Sequence, residues 1–468
     1  MTLIVLLTVS FITFFMLGFR FDADKGNLEQ YAFLQFNSSP SGATVVIDGV
    51  DVGTKTPNKK SVPAGKYQVE MWRDGYETWQ KSVDIKSGAI TWLNYALLVP
   101  KKLTVEPVAD YESVYSSLAS PKGEAMIIEK RSDTPTFNLV DLGSDTIKTT
   151  ILTISTNLYS ESTTVGVVHT FDIDKWDDEG RYVLIRHKYN DLTEWLVLDT
   201  QNVDLTRNIN RLFNVVITNV VFSGTSGSIF YALDANNIRK LDLDAVTISV
   251  PLVSNVTNFE IYNKSKMITY VGGGQIGTNQ RVVGLYREGD DKSSIIRTVT
   301  SSPETNLRIA TTRYFNANYV AILDGTKVDI LSGSYPDTTN NNSSMKIIAT
   351  FQTVNGIERL LFSPTGAYVF VQSGAYFASY DLEYQKFMAS TIKGSGPILP
   401  LKWLNENYIW SGRDGKLTIR EFDGSNVHII NPVLADQDAT ITSNGRYIYS
   451  FNKIGVNYQL QRVRMILP

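Results

Sequence analysis

Apolar positions along the chain fall into three patterns, each predicting a different kind of element. The first is a continuous run, Thr2 to Phe19 (TLIVLLTVSFITFFMLGF), eighteen residues without a charge and closed by Arg20. About twenty apolar residues at 1.5 Å each span a bilayer, so the run predicts an N-terminal transmembrane helix, an anchor over residues 1–21. A cleaved signal peptide is the competing reading. Against it, no basic stretch precedes the run, and Arg20, Phe21, Asp22, Ala23 and Asp24 follow it instead of an A-x-A-like site. A buried core helix would need helical partners, and the flanking sequence offers none. Residues 22–30 (DADKGNLEQ) are polar and read as a linker.

The second pattern, over residues 31–100, is a set of short strands separated by turn residues. Ala32 to Phe36 is broken by Asn37 to Pro40, and ATVVI (43–47) is closed by Asp48-Gly49, a hairpin signal. YQVEMW (67–72) alternates and is turned by Asp74-Gly75, and Val83 to Ile85 and Trp92 to Val99 supply further strands. Close spacing without a useful amphipathic helix predicts a small β-sandwich.

The third pattern fills residues 101–468 and repeats. A turn followed by an apolar strand recurs at AMIIE, YVLIR, SIFYAL, MITYV, YVAIL, YVFV, YIWS and YIYSF. The strands start at 125, 182, 229, 267, 319, 368, 408 and 447, a mean spacing of about 46 residues, and five open on tyrosine (Tyr182, Tyr319, Tyr368, Tyr408, Tyr447). A second strand follows each, as in WLVLD (195–199). Such a period with several short strands per unit predicts a β-propeller of eight blades, or seven if the weak unit around Met267 is absorbed elsewhere. The last unit ends one strand short after Met465, so Leu103 to Val105 is expected to complete it and close the ring. The fold class is therefore all-β after the N-terminal helix.

Composition narrows the function. The 468 residues carry 44 Lys and Arg against 47 Asp and Glu, a net charge of -3, which argues against a nucleic-acid partner. The absence of cysteine removes disulfides, thiolate metal sites and a cysteine nucleophile. Aromatics at 11% and charges at 19% are the composition of a folded chain. A large Thr/Asn/Tyr-rich β region after a single anchor suggests a membrane protein whose C-terminal part is extracytoplasmic.

Residues 31–99 resemble a known family. Pro40, Gly42 and Ala43, with Ser41 where a glutamate would stand, are followed in order by Asp48-Gly49, Gly53, Pro57, Pro63-Ala64-Gly65 and Gly75-Tyr76; together they look like a PEGA domain. The resemblance implies a small surface-associated β-sandwich, generally a binding or spacer module. Its motif residues Pro40, Gly42, Ala43, Asp48, Gly49, Pro57, Gly65, Gly75 and Tyr76 are accounted for by turn chemistry. Farther on, Ser120-Pro121-Lys122-Gly123 and Ser363-Pro364-Thr365-Gly366 resemble the S-P-D-G turn of propellers like those of the TolB and prolyl-oligopeptidase groups, an architectural mark.

Candidate chemistry is sparse. No G-x-S-x-G elbow is present. Gly272 to Gly277 formally matches G-x-G-x-x-G, yet it joins two strands and has no helix N-terminus to hold a phosphate, so it reads as a hairpin tip. The acidic run Asp172, Asp174, Asp177, Asp178 and Glu179 lacks EF-hand spacing and reads as a solvated loop, as do Glu288, Asp290 and Asp291. His169, His187 and His428 are far apart and read as structural. Trp72, Trp79 and Trp92 are candidate sugar-stacking platforms or packing residues.

The expectation is a membrane-anchored cell-surface protein that binds a protein or glycan without catalysis, with no cofactor, metal or catalytic residue. An extracytoplasmic glycan hydrolase or lyase using axial carboxylates is the alternative. Long loops are expected at 143–168, 272–280 and 334–344, and partner contacts on the face that carries them.

Overall fold

The computed structural model describes residues 2–16, 18–22, 27–162, 166–224, 226–262, 266–273, 279–300, 305–336, 344–353 and 356–468. The N-terminal run forms a 15-residue helix, Thr2–Met16, about 22 Å long. Among the described residues no helix is long and apolar enough to cross a membrane, which corrects the transmembrane helix expected over Thr2 to Phe19. The helix is cut short by its own sequence. Gly18 adopts φ +84, and its carbonyl accepts the Tyr31 N–H at 2.9 Å, where a Cβ would lie 2.8 Å from the Tyr31 oxygen. The chain leaves this turn as a strand, Phe19–Asp22, paired antiparallel with Asn27–Gln30, so the end of the expected linker is also a strand.

Residues 32–97 form two facing sheets. One holds Asn58–Val62, Ala32–Ser39 and Ile90–Leu97; the other holds Val50–Lys55, Thr44–Ile47, Gly65–Trp72 and Trp79–Ile85. The first strand runs through Asn37 to Ser39, where the sequence suggested a break. Leu34, Phe36, Val45, Val69, Met71 and Leu93 fill the space between the sheets. Asp48 and Gly49 both take positive φ, 47° and 80°, as a tight two-residue hairpin requires, and Asp48 Oδ1 accepts the Gln68 N–H at 2.8 Å.

Among the described residues, eight antiparallel sheets of four strands follow, numbered here 1 to 8 in chain order. Their second strands are Ala125–Glu129, Tyr182–Tyr189, Ile229–Asp234, Met267–Gly273, Ala317–Asp324, Tyr368–Ser373, Tyr408–Ser411 and Tyr447–Ile454, the eight apolar repeats of the sequence. Each second strand is buried on both faces, which is why it reads as a continuous apolar run. Neighbouring residues on it point to opposite neighbours. Ile127 packs with Val183, Leu184 with Phe230, Tyr231 with Ile268, and Met267 with Val320. Ala321 then packs with Val369, Phe370 with Ile409, Tyr408 with Ile448, and Tyr449 with Met126, so sheet 8 closes onto sheet 1. Val105–Tyr111 supplies the fourth strand of sheet 8 by pairing with Asn457–Arg464; the closing strand begins where Leu103 to Val105 was expected to end.

The sandwich is fused to this ring. Leu97 and Val99 enter the core between sheets 7 and 8, and Leu467 packs against the sandwich core. The Tyr76 hydroxyl accepts the Leu467 N–H at 2.7 Å, and the Tyr408 hydroxyl accepts the Leu97 N–H at 3.1 Å.

Candidate functional site

A cleft of about 1490 Å³ lies between the sandwich and sheets 5 to 7. One wall is built by the strands Trp79–Ile85 and Ile90–Leu97. The other is built by the turns that follow the first strands of the three sheets and the third strands of sheets 6 and 7, including Tyr314, Phe315, Glu383, Tyr384, Asn407 and Asp423.

Its floor is a charged network crossing between the two units. Glu421, fully buried, accepts hydrogen bonds from Trp79 Nε1, from Lys81 Nζ at 2.5 Å, from the Tyr408 hydroxyl at 3.1 Å and from Asn426 Nδ2 at 2.7 Å. Lys81 Nζ also lies 2.6 Å from Asp423 Oδ2 and 2.9 Å from Ser425 Oγ. Burial opposes the lysine charge, but Glu421 and Asp423 more than offset it and hold the Lys81 pKa above its ordinary value. The ammonium sits over the rings of Tyr95 and Phe422, 5.7 and 5.1 Å from their centroids. Phe422 stacks on Tyr368 at 3.9 Å and meets Tyr95 edge-on at 5.7 Å.

The open walls carry aromatic surface beside fixed acceptors. The Tyr384 hydroxyl accepts the Trp92 N–H at 2.9 Å across the cleft, and Phe315 is 73% exposed. Asp381 is buried, and its Oδ1 accepts the N–H groups of Glu383 and Tyr384 at 2.9 and 3.0 Å. Burial lifts its pKa to about 6 against those two bonds. The Tyr314 hydroxyl donates to Glu383 Oε2 at 2.9 Å. Ring faces flanked by carboxylates and backbone groups suit a polyhydroxylated ligand that offers both a flat apolar face and hydroxyl donors.

The sequence-selected residues separate into several places. The PEGA motif residues lie at turns or in the sandwich core: Gly42 and Gly75 have φ of +86° and +82°, Ala43 and Tyr76 are buried, Gly65 opens the strand Gly65–Trp72, and Pro40 and Pro57 flank a hydrogen bond between Ser38 Oγ and Thr56 Oγ1 at 2.6 Å. None of these nine residues lines the cleft. Of the three tryptophans, Trp79 is core, Trp72 is 40% exposed away from the cleft, and Trp92 lines it.

The acidic run disperses. Asp172 pairs with Arg186 and Lys188, Asp174 lies 3.8 Å from Lys175, Glu179 pairs with Lys122, and Asp177 Oδ1 caps the turn by accepting the Arg181 and Tyr182 N–H groups. Glu288 pairs with Lys240 and Lys266. Among the described residues no group of three His, Asp or Glu is placed to hold a metal. Gly272 and Gly273 end the second strand of sheet 4, which pairs antiparallel with Gln280–Arg287; the rest of the glycine motif, and most of the loops expected at 272–280 and 334–344, lie outside the described residues. The loop expected at 143–168 contains a strand, Lys148–Thr153.

The turn after the first strand uses one device with changing residues. Ser120 Oγ accepts the Ala125 N–H, Ser363 Oγ the Tyr368 N–H, Asn405 Oδ1 the Tyr408 N–H and Thr442 Oγ1 the Tyr447 N–H, as Asp177 does in sheet 2. Only the two serine versions stand out in the sequence.

Two of the dispersed histidines meet. His169 Nδ1 lies 2.9 Å from His187 Nε2, and His187 Nδ1 lies 3.1 Å from Glu194 Oε2. Glu194 also accepts the Ser160 hydroxyl and its N–H, the latter at 2.9 Å. The rings of Phe171 and His187 stack at 4.4 Å and those of His187 and Tyr189 at 5.0 Å. Burial would raise the Glu194 pKa, but the bonds from His187, Ser160 and Asn208 bring it down to about 2. The Ser160 hydroxyl is thus bound to the carboxylate and not to an imidazole, the wrong order for an activated serine. Strand pairing of Phe171 with His187 brings the two histidines together, a register that residue spacing alone does not reveal.

A PEGA-domain model matches residues 33–99. No curated protein matches the sequence. Among solved structures the chain is similar to an oligogalacturonate lyase in complex with manganese (10% identity, 78% of this chain and 98% of that chain, TM-score 0.43). It is also similar to the Dos1 propeller (11%, 76% and 94%, 0.48) and to the dihydro-heme d1 dehydrogenase NirN in complex with DHE (11%, 68% and 67%, 0.44). The chain is thus an all-β protein that carries a PEGA domain at residues 33–99 and has β-propellers among its structural neighbours.

Proposed function

We propose that this protein is a non-catalytic binding protein whose eight consecutive sheets are the blades of one closed propeller, and that it holds a glycan in the cleft between the PEGA domain and sheets 5 to 7. The observation that carries this reading is the cleft itself: Trp92, Phe315 and Tyr384 present aromatic surface on its walls while the Lys81, Glu421 and Asp423 network fixes the walls relative to each other. Rigid placement of recognition groups limits the ordering cost of binding. Attachment to a membrane is part of the proposal, and it is supported by the apolar surface of the uncharged helix Thr2–Met16, on which Ile4, Leu6, Val9 and Ile12 are exposed. The extracytoplasmic location of the remainder rests on that attachment.

The test is a glycan-array screen of the full chain in detergent, followed by titration of the retained glycan. Trp92→Ala and Tyr384→Ala are expected to weaken binding about tenfold each, the loss of roughly 1.4 kcal/mol of ring contact. Unchanged affinity in both variants places the ligand elsewhere. The catalytic alternative has one supporting feature, the axial carboxylate of Glu260 on the first strand of sheet 4, which faces Lys175 and Arg308.

A further inference from the structure

The first strands of sheets 1 and 2 touch, as do those of sheets 3, 4, 5 and 6 in succession, which sets them toward the centre of the ring. The starting ends of those in sheets 5 to 8 are joined by bonds that step from sheet to sheet, and the last bond reaches the far end of the first strand of sheet 1. Asn306 Nδ2 donates to the Ile357 carbonyl at 2.6 Å, Arg359 Nη1 to the Leu401 carbonyl at 2.6 Å, and Lys402 Nζ to Asp438 Oδ1 at 2.9 Å; Asp438 Oδ2 then accepts the Ala119 N–H at 2.9 Å. This girdle runs through sheets 5, 6, 7, 8 and 1 and fixes Arg359 and Lys402 at the rim of the axial opening.

The charges around the opening do not balance. Lys402 is matched by Asp438, and Lys175 has Asp174 at 3.8 Å. Arg308 and Arg359, on the first strands of sheets 5 and 6, spend their hydrogen bonds on neutral acceptors: Arg308 Nε on Asn306 Oδ1 at 3.1 Å, and Arg359 on Leu401. Among the described residues neither guanidinium forms an ion pair with a carboxylate. The carboxylate that faces Arg308 is Glu260, which stands open to solvent while protein surrounds it closely enough for burial to raise its pKa, the environment of a side chain in a water-filled channel. Arg308 and Arg359 each stand two residues beyond the bonded pair Asn306 and Ile357 on touching strands, which sets them side by side; burial, and then the charge of Arg308, lower the pKa of Arg359. Two neighbouring guanidiniums in a confined opening are unfavourable unless an anion joins them.

We propose that Arg308 and Arg359 form an anion site in the axial opening, separate from the PEGA cleft, that takes an oxyanion group such as a carboxylate or a phosphate. The forked donors of a guanidinium match two oxygens of either group, and Glu260 across the channel disfavours ligands of higher negative charge. The site stands whether or not the cleft binds a glycan.

Thermal unfolding of the full chain tests it, with inorganic phosphate or D-glucuronate as probes and chloride at matched ionic strength as the reference. The wild-type protein is expected to gain about 2 °C or more over chloride with at least one probe, and the probe that acts distinguishes phosphate from carboxylate recognition. Arg308→Gln and Arg359→Gln, singly and together, are expected to lose the probe response, read as the shift of each variant from its own melting temperature in chloride. Trp92→Ala is expected to keep it. A wild-type response no larger than that of chloride overturns the proposal, and so does an equal response in the Arg308→Gln and wild-type proteins.

Discussion

Lys81 Nζ, on the PEGA sandwich, lies 2.6 Å from Oδ2 of Asp423, on a turn of sheet 7, and this contact across 342 residues of chain holds the two units at a fixed separation. It is part of a buried network, since Glu421 is fully shielded beside it and the lysine is only 12% exposed. Breaking one partner of such a group leaves the others buried and unpaired, whereas replacing charges together does far less harm. Lys81→Met is therefore expected to destabilise the protein by about 3–5 kcal/mol in chemical denaturation. The Lys81→Met/Glu421→Gln/Asp423→Asn variant is expected to recover much of that loss. Equal stability of Lys81→Met and wild type would remove the network from the account of the interface.

Much of the frame is legible in the sequence because it is local. Asp48-Gly49 announces a hairpin since both residues must take positive φ, and YVLIR or YVFV announces a strand buried on both faces. The closing strand is signalled by a unit that ends too early. What the sequence conceals is long-range. Lys81 and Glu421 are ordinary charges until folding stacks the sandwich on sheet 7. His169 and His187 look isolated until antiparallel register aligns them. The N-terminal run misleads because apolarity alone does not show that Gly18 and the pairing of Phe19–Asp22 end the helix.

Glu129 gives a pH signature. It is fully buried, and its Oε2 accepts the Ser116 hydroxyl at 2.6 Å. Burial raises its pKa from 4.5 to about 7 in spite of the Ser116 bond. The folded state therefore holds a proton that the unfolded state releases, and the resulting stabilisation is present below about pH 4.5 and lost as pH rises through 7. Glu129→Gln is expected to be near neutral at pH 5 and to stabilise the protein at pH 8 by about 3 kcal/mol. A pH-independent difference in melting temperature would contradict this.

The Glu194 cluster has the opposite sign. A carboxyl depressed to about 2 contributes stability above pH 4.5 that is lost as pH falls toward 2. The His169 pKa is lowered by burial and then by His187, so its share is present above the ordinary histidine range and lost as the pH falls below it. Glu194→Gln is expected to cost about 3 kcal/mol at pH 7, and the difference is expected to shrink steadily in denaturation series taken below pH 4.5.

Ring closure is tested by removing one strand. A chain beginning at Glu112 lacks Val105–Tyr111 and exposes the edge Asn457–Arg464, whereas a chain beginning at Lys101 keeps it paired. The shorter chain is expected to melt lower and to self-associate more. Matching melting curves would show that the closing strand adds nothing.

The central claim, that the protein retains a glycan in the PEGA cleft and does not transform it, is tested most directly by following retention and product formation in the same incubation. With the glycan selected on the array, the account predicts stable retention by the wild-type chain, loss of retention with Trp92→Ala, and an unaltered glycan after prolonged incubation. Reproducible release of cleaved glycan that disappears with Glu260→Gln and persists with Trp92→Ala would contradict it, and would move the functional centre from the cleft to the axis of the ring.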